Sequence, residues 1–97
     1  MFLNKAADKL VYKFLNKINY GYLEITTFEG ELLKFGNLNE TLKANIIIKK
    51  PDFNYNLIRG GSIGFAESYM RGEFESKDLS NLIELTARNI EIIHKFS

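Results

Sequence analysis

Apolar residues open the chain at a helical interval: Phe2, Leu3, Ala6, Ala7, Leu10, Val11, Phe14, Leu15 and Ile18. Successive pairs step by four, which predicts an α-helix over residues 2–18, stopped near Gly21. Lys5, Lys9, Lys13 and Lys17 keep the same interval and form a basic stripe along that helix. The period then shortens. Residues 22–28 are rich in β-branched and aromatic types and read as a strand, Glu29-Gly30 as a turn, and residues 31–35 as the returning arm of a hairpin. Residues 43–49, centred on Ile46-Ile47-Ile48, predict a third, more buried strand that ends at Pro51.

The second half turns helical again. Asp52 is suited to cap a short helix carrying Phe53, Leu57 and Ile58, and Ser62 to cap another over residues 63–70. Residues 71–75 read as a short returning strand around Phe74. A last helix over residues 78–96 places Leu79, Leu82, Ile83, Thr86, Ile90, Ile93 and Phe96 on one side, with Asp78 in its first turn and Lys95 in its last, as the helix dipole favours. The order predicts an α+β domain: a small, mostly antiparallel sheet packed by N- and C-terminal helices, with residues 1–97 as a single unit.

Composition narrows the chemistry. The 97 residues contain no cysteine and one histidine, His94, which excludes disulfides, thiolate metal sites and a histidine cluster. No apolar run reaches the length of a membrane span, and the opening residues 1–5 lack the continuous apolar stretch of a secretory signal. A net charge of +1 gives no general signal for nucleic acid, but the distribution is uneven. Residues 1–18 hold four lysines and one aspartate, a local +3 that leaves −2 for the remaining 79. An apolar stripe beside a lysine stripe fits a core helix with a solvated basic side and also a helix lying in an anionic membrane interface, and both hold if the helix packs on the sheet and shows its lysines to lipid headgroups.

Seven residues bracket the other dense feature, the run from Gly60-Gly61 through Gly64, Glu67, Tyr69 and Gly72 to Phe74. A dinucleotide cradle needs a Gly-x-Gly-x-x-Gly turn after a strand, and a P-loop needs its lysine. Neither is present. Glu67, the one acid among these glycines, has no complementary catalytic partner nearby in sequence, and is expected to bind backbone N–H groups or pair with Arg59, Arg71 or Arg88. No Ser/His/Asp or Cys/His set is available for nucleophilic catalysis.

Residues 60–79 resemble the N-terminal domain of the cyclopropane-fatty-acyl-phospholipid synthase family. Its pattern, Gly-(Gly/x)-x-x-Gly-x-x-Glu-x-Tyr-x-x-Gly-x-(Trp/Phe) and then Asp-Leu, is met by Gly60, Gly61, Gly64, Glu67, Tyr69, Gly72, Phe74, Asp78 and Leu79. Gly21, Leu23, Gly30, Phe35, Gly36, Ala44, Phe53 and Asn89 extend the similarity over residues 20–90. Phe28-Glu29-Gly30 stands where the family often has Pro-Asp-Gly, and Phe74 where it often has tryptophan.

The resemblance implies a sterol-carrier-protein-like fold and a non-catalytic domain that handles lipid. The complete enzymes of the family are S-adenosylmethionine-dependent methyltransferases that modify unsaturated acyl chains of membrane phospholipids. Their catalytic and cofactor-binding residues belong to a following domain that this chain lacks, so none is carried over to it. The implied partners are an anionic phospholipid surface, the catalytic domain and a second copy of the chain. The implied location is the cytoplasm, peripheral to the inner face of the membrane. Lipid contact is expected at Phe2, Lys5, Lys9, Leu10, Lys13, Phe14 and Lys17. The alternatives are a docking or dimerisation module, and a stand-alone lipid carrier.

Overall fold

The computed structural model describes residues 2–96, with side chains described through His94. Helix α1 (Phe2–Leu15) leads into strands β1 (Tyr22–Thr26), β2 (Leu32–Gly36) and β3 (Lys43–Ile48). Helix α2 (Phe53–Met70), the two-residue β4 (Phe74–Glu75) and helices α3 (Leu79–Arg88) and α4 (Ile90–Phe96) follow. The strands form one sheet in the order β2-β1-β3-β4.

The α+β class holds, and the sheet is mixed. β1 pairs antiparallel with β2, and β3 with β4, but β1 and β3 run parallel. The cause lies in the loop after Gly36. β2 has already returned the chain to the starting end of β1, and the loop carries it across to the other side of β1, where Tyr22 N donates to Leu42 O at 2.9 Å, so β3 must leave in the same direction as β1. Two glycines permit this crossing. Gly21 and Gly36 both have positive φ, and a Cβ on Gly36 would run into the Gly21 carbonyl oxygen.

Residues in register share a face of a sheet. Leu23 therefore lies with Phe35 and Ala44, Ile25 with Ile46, and Ile48 with Phe74. These side chains form the core together with Phe53 of α2 and Leu82 and Leu85 of α3. The alternate positions Glu24, Lys34, Lys43, Asn45 and Glu75 carry the polar face.

Several expected boundaries move. α1 ends at Leu15: Asn16 N still reaches the Tyr12 carbonyl four residues back at 3.3 Å, but Lys17 N and Ile18 N turn to the carbonyls three residues back. The two short helices join as α2, kinked at Gly61 (φ 57°, ψ −140°), and Asp52 makes no side-chain cap. The returning strand shrinks to Phe74–Glu75. The last helix breaks at the buried Asn89, and the side chains of Lys95 and Phe96 lie outside the described residues. Within α3, Leu85 rather than Ile83 joins Leu82 in the core, since a step of three keeps the side and a step of one leaves it.

Candidate functional site: the basic face of α1 and the glycine corner

Each residue of α1 turns the helix by about 100°. Ala7 and Val11 face inward and are the buried residues of α1. Tyr12 and Leu15 pack partly against the core, and the Tyr12 ring stacks on Phe35 with centroids 6.0 Å apart. Lys5, Lys9 and Lys13 are all exposed, as is Lys17 in the turn beyond the helix. Because a step of four overshoots a full turn by about 40°, the lysines spiral around the outer side rather than forming a straight row.

The apolar candidates divide. Phe2 is 81% exposed but falls in angle among the lysines. Leu10 is 48% exposed on one flank, next to Leu3, which is also exposed. Phe14 is half-buried, with the Lys17 ammonium 5.2 Å from its ring centroid, a cation–π distance. The structure thus brings Lys5, Lys9, Lys13, Lys17, Phe2 and Leu10 to one solvent-facing side and leaves Phe14 at its margin.

A polar contact fastens α1 to α2. Asn54 is 2% exposed, and its Nδ2 donates to Asp8 Oδ1 at 3.0 Å. Burial raises the Asp8 carboxyl above its ordinary value, against the lowering effect of Asn54, and Glu29 adds to the rise. Burial likewise pushes the Tyr12 hydroxyl up to about 12, with Asn54 opposing and Asp8, Glu29 and Glu31 reinforcing. Apolar periodicity gave no sign of this contact. The one signal in the sequence was Asp8 itself, the acid that interrupts an otherwise basic segment.

The glycine corner is structural. Gly61 adopts a backbone conformation open to glycine almost alone. Gly64 lets the second half of α2 approach the first, since a Cβ there would stand 3.1 Å from Asn56 O. Gly72 (φ 71°) reverses the chain into β4. Phe74, 1% exposed, is ringed by Phe53, Phe65 and Tyr69 at centroid separations of 5.2, 4.8 and 5.6 Å. Asp78 caps α3, accepting from Asn81 N at 3.0 Å.

Glu67 departs from expectation. It is exposed, and among the described residues its carboxylate accepts no backbone hydrogen bond. Arg71 instead reaches Glu73, Nε to Oε2 at 2.8 Å and Nη2 to Oε1 at 3.5 Å. Arg71 is the main cause holding the Glu73 carboxyl below its ordinary value. Asn56 and the fully buried Ser68 hydroxyl assist as dipoles, although Ser68 Oγ finds no partner at good hydrogen-bond geometry.

Asn89 matters more than its place at the end of the similarity suggested. Its Oδ1 accepts from Asn19 N (2.9 Å) and Tyr20 N (3.2 Å), and its Nδ2 donates to Tyr20 O (2.9 Å) and Leu85 O (2.8 Å). It thereby ties the connection after α1 to the end of α3.

Among the hollows on the surface of the described residues are one of about 510 Å³ lined by Tyr20, Glu40, Asn81, Glu84 and Arg88, and one of about 360 Å³ between Tyr22, Glu24, Lys43 and Lys77. Both are open and charged, unlike the closed apolar cavity that a carrier of free lipid requires. The glycines sit within and beside α2 rather than in a strand-to-helix turn, so this run does not form the phosphate cradle of a dinucleotide-type fold. No group of three or more acidic, histidine or cysteine residues is placed to hold a metal among the described residues, and none of their helices is long and apolar enough to cross a membrane. No family pattern, characterised protein or solved structure matches this chain.

Proposed function

We propose that this chain is a non-catalytic, lipid-contacting domain of a cyclopropane-fatty-acyl-phospholipid-synthase-like enzyme, and that it meets anionic phospholipid through α1. The supporting observation is that Lys5, Lys9, Lys13 and Lys17 are all exposed, with Phe2 and Leu10 beside them. Each lysine near an anionic leaflet contributes about 1 kcal/mol. The domain works at the inner face of the membrane, and methyl transfer belongs to the catalytic domain with its S-adenosylmethionine. The test is sedimentation with vesicles of phosphatidylglycerol or phosphatidylcholine at increasing salt. Binding confined to the anionic vesicles and weakened by salt supports the reading. Equal binding to both, or to neither, rejects it.

A second reading rests on the second half of α2, where Ile63 (73% exposed) and Met70 (77%) lie seven residues apart on one side. Here the domain is a docking module for the methyltransferase catalytic domain. Ile63→Lys with Met70→Lys then abolishes association with the separately produced catalytic domain and leaves vesicle binding intact. Self-association of the isolated chain at micromolar concentration, abolished by the same pair, identifies a second copy as the occupant instead.

A further inference from the structure

Six apolar residues of α1 share one arc, while Phe2 and Ala6 lie outside it, toward the lysines. Leu10, Leu3, Phe14, Ala7, Val11 and Leu15 span about 140° of the helix, and Lys5, Lys9 and Lys13 span about 80° on the opposite side. That division is the pattern of a helix lying in a membrane interface, with its apolar arc in the acyl boundary and its lysines among the headgroups. The fold uses this arc sparingly. It buries the two smallest members, Ala7 and Val11, and leaves Leu3 and Leu10 about half exposed at the rim. It also encloses the Asp8–Asn54 contact beside them, a polar pair whose formation must offset the loss of its water. Glu29 and Glu31 of the hairpin lie near enough to act on Asp8 or Tyr12, placing negative charge against this side of the helix.

One arc cannot face α2 and the acyl chains at the same time. While α1 is docked, its lysines reach an anionic surface but Ala7 and Val11 do not. We infer that the docked arc of α1 is itself a lipid-binding surface, with the interface of an anionic bilayer as its partner, and that Asp8–Asn54 is the latch released when α1 transfers to lipid. The inference rests on the proposed membrane role and adds an exchange of partners by the helix. The charge of the outer lysines selects the bilayer as the occupant. A neutral protein groove would not answer four cations, and an anionic surface answers them along the whole helix.

The test uses the absence of cysteine from the sequence. Asp8→Cys with Asn54→Cys is bridged by a short bis-thiol reagent, and the bridged and unbridged forms are compared with the wild-type chain on phosphatidylglycerol vesicles. Hydrogen exchange is followed in residues 53–60, which α1 covers in part. The expected result is tighter binding by the unbridged variant than by wild type and binding at least tenfold weaker when bridged, with retained circular dichroism. Exchange at 53–60 rises when wild type binds. Equal affinity of bridged and unbridged forms with unchanged exchange overturns the latch and leaves the membrane role standing. Absence of vesicle binding in every form overturns both.

Discussion

Gly60 and Gly61 stand side by side with opposite requirements. Gly60 is helical and a Cβ there would meet nothing within 4 Å, whereas Gly61 holds a conformation that other residues adopt only with strain. Gly60→Ala should therefore raise stability by about 0.5–1 kcal/mol through helix propensity and the unfolded chain, and Gly61→Ala should lower it by about 1–3 kcal/mol. Urea unfolding of the two variants checks both signs. Asn89→Ala removes four hydrogen bonds and frees the connection around Asn19 and Tyr20. A loss of about 1–3 kcal/mol is expected by the same measurement. The sequence marked the glycines as special but could not rank them, because glycine density does not reveal which φ is positive. Glu67 shows the same limit. As the acid nearest the glycines it drew attention, while the bonded acid, Glu73, sits two residues beyond Arg71 on the far side of the turn.

At the scale of elements, the junctions carry the pH dependence, and they carry it in opposite directions. Glu73 is held below the ordinary value of 4.5, so its contribution is present above that value and is lost as pH falls through its lowered folded value. Glu73→Gln should be less stable than wild type at pH 7, with the difference closing in acid below pH 4.5. Asp8 is raised above 3.8, so its ionised form costs stability, and that cost fades as pH falls through the raised value towards 3.8. Asp8→Asn keeps an acceptor for Asn54 and should be more stable than wild type at neutral pH, with that gain likewise closing in acid. Urea unfolding of both variants across pH 3–7 reads the two signs. α1 itself was legible from a period of four, as was the hairpin from Gly30. The latch was not, because a polar pair brought together across 46 positions leaves no periodic trace.

At the scale of the whole molecule, the order of helices and strands was readable, and so was the α+β class. The parallel pairing of β1 with β3 was not, since Ile46-Ile47-Ile48 signals burial but not direction. Direction follows from the Gly21–Gly36 crossing, a close backbone approach formed only when the sheet is assembled. The assembled domain buries Ala7 and Val11 and turns the lysines outward, so the basic charge of α1 lies away from its packed side, where Asp8 meets Asn54. The central claim is that these lysines bind anionic lipid. The direct measurement is the affinity of the Lys5→Gln, Lys9→Gln, Lys13→Gln, Lys17→Gln variant for phosphatidylglycerol vesicles beside that of the wild-type chain. Four contributions of about 1 kcal/mol predict a loss on the order of a thousandfold with the fold retained. An affinity unchanged by the four substitutions would contradict the account.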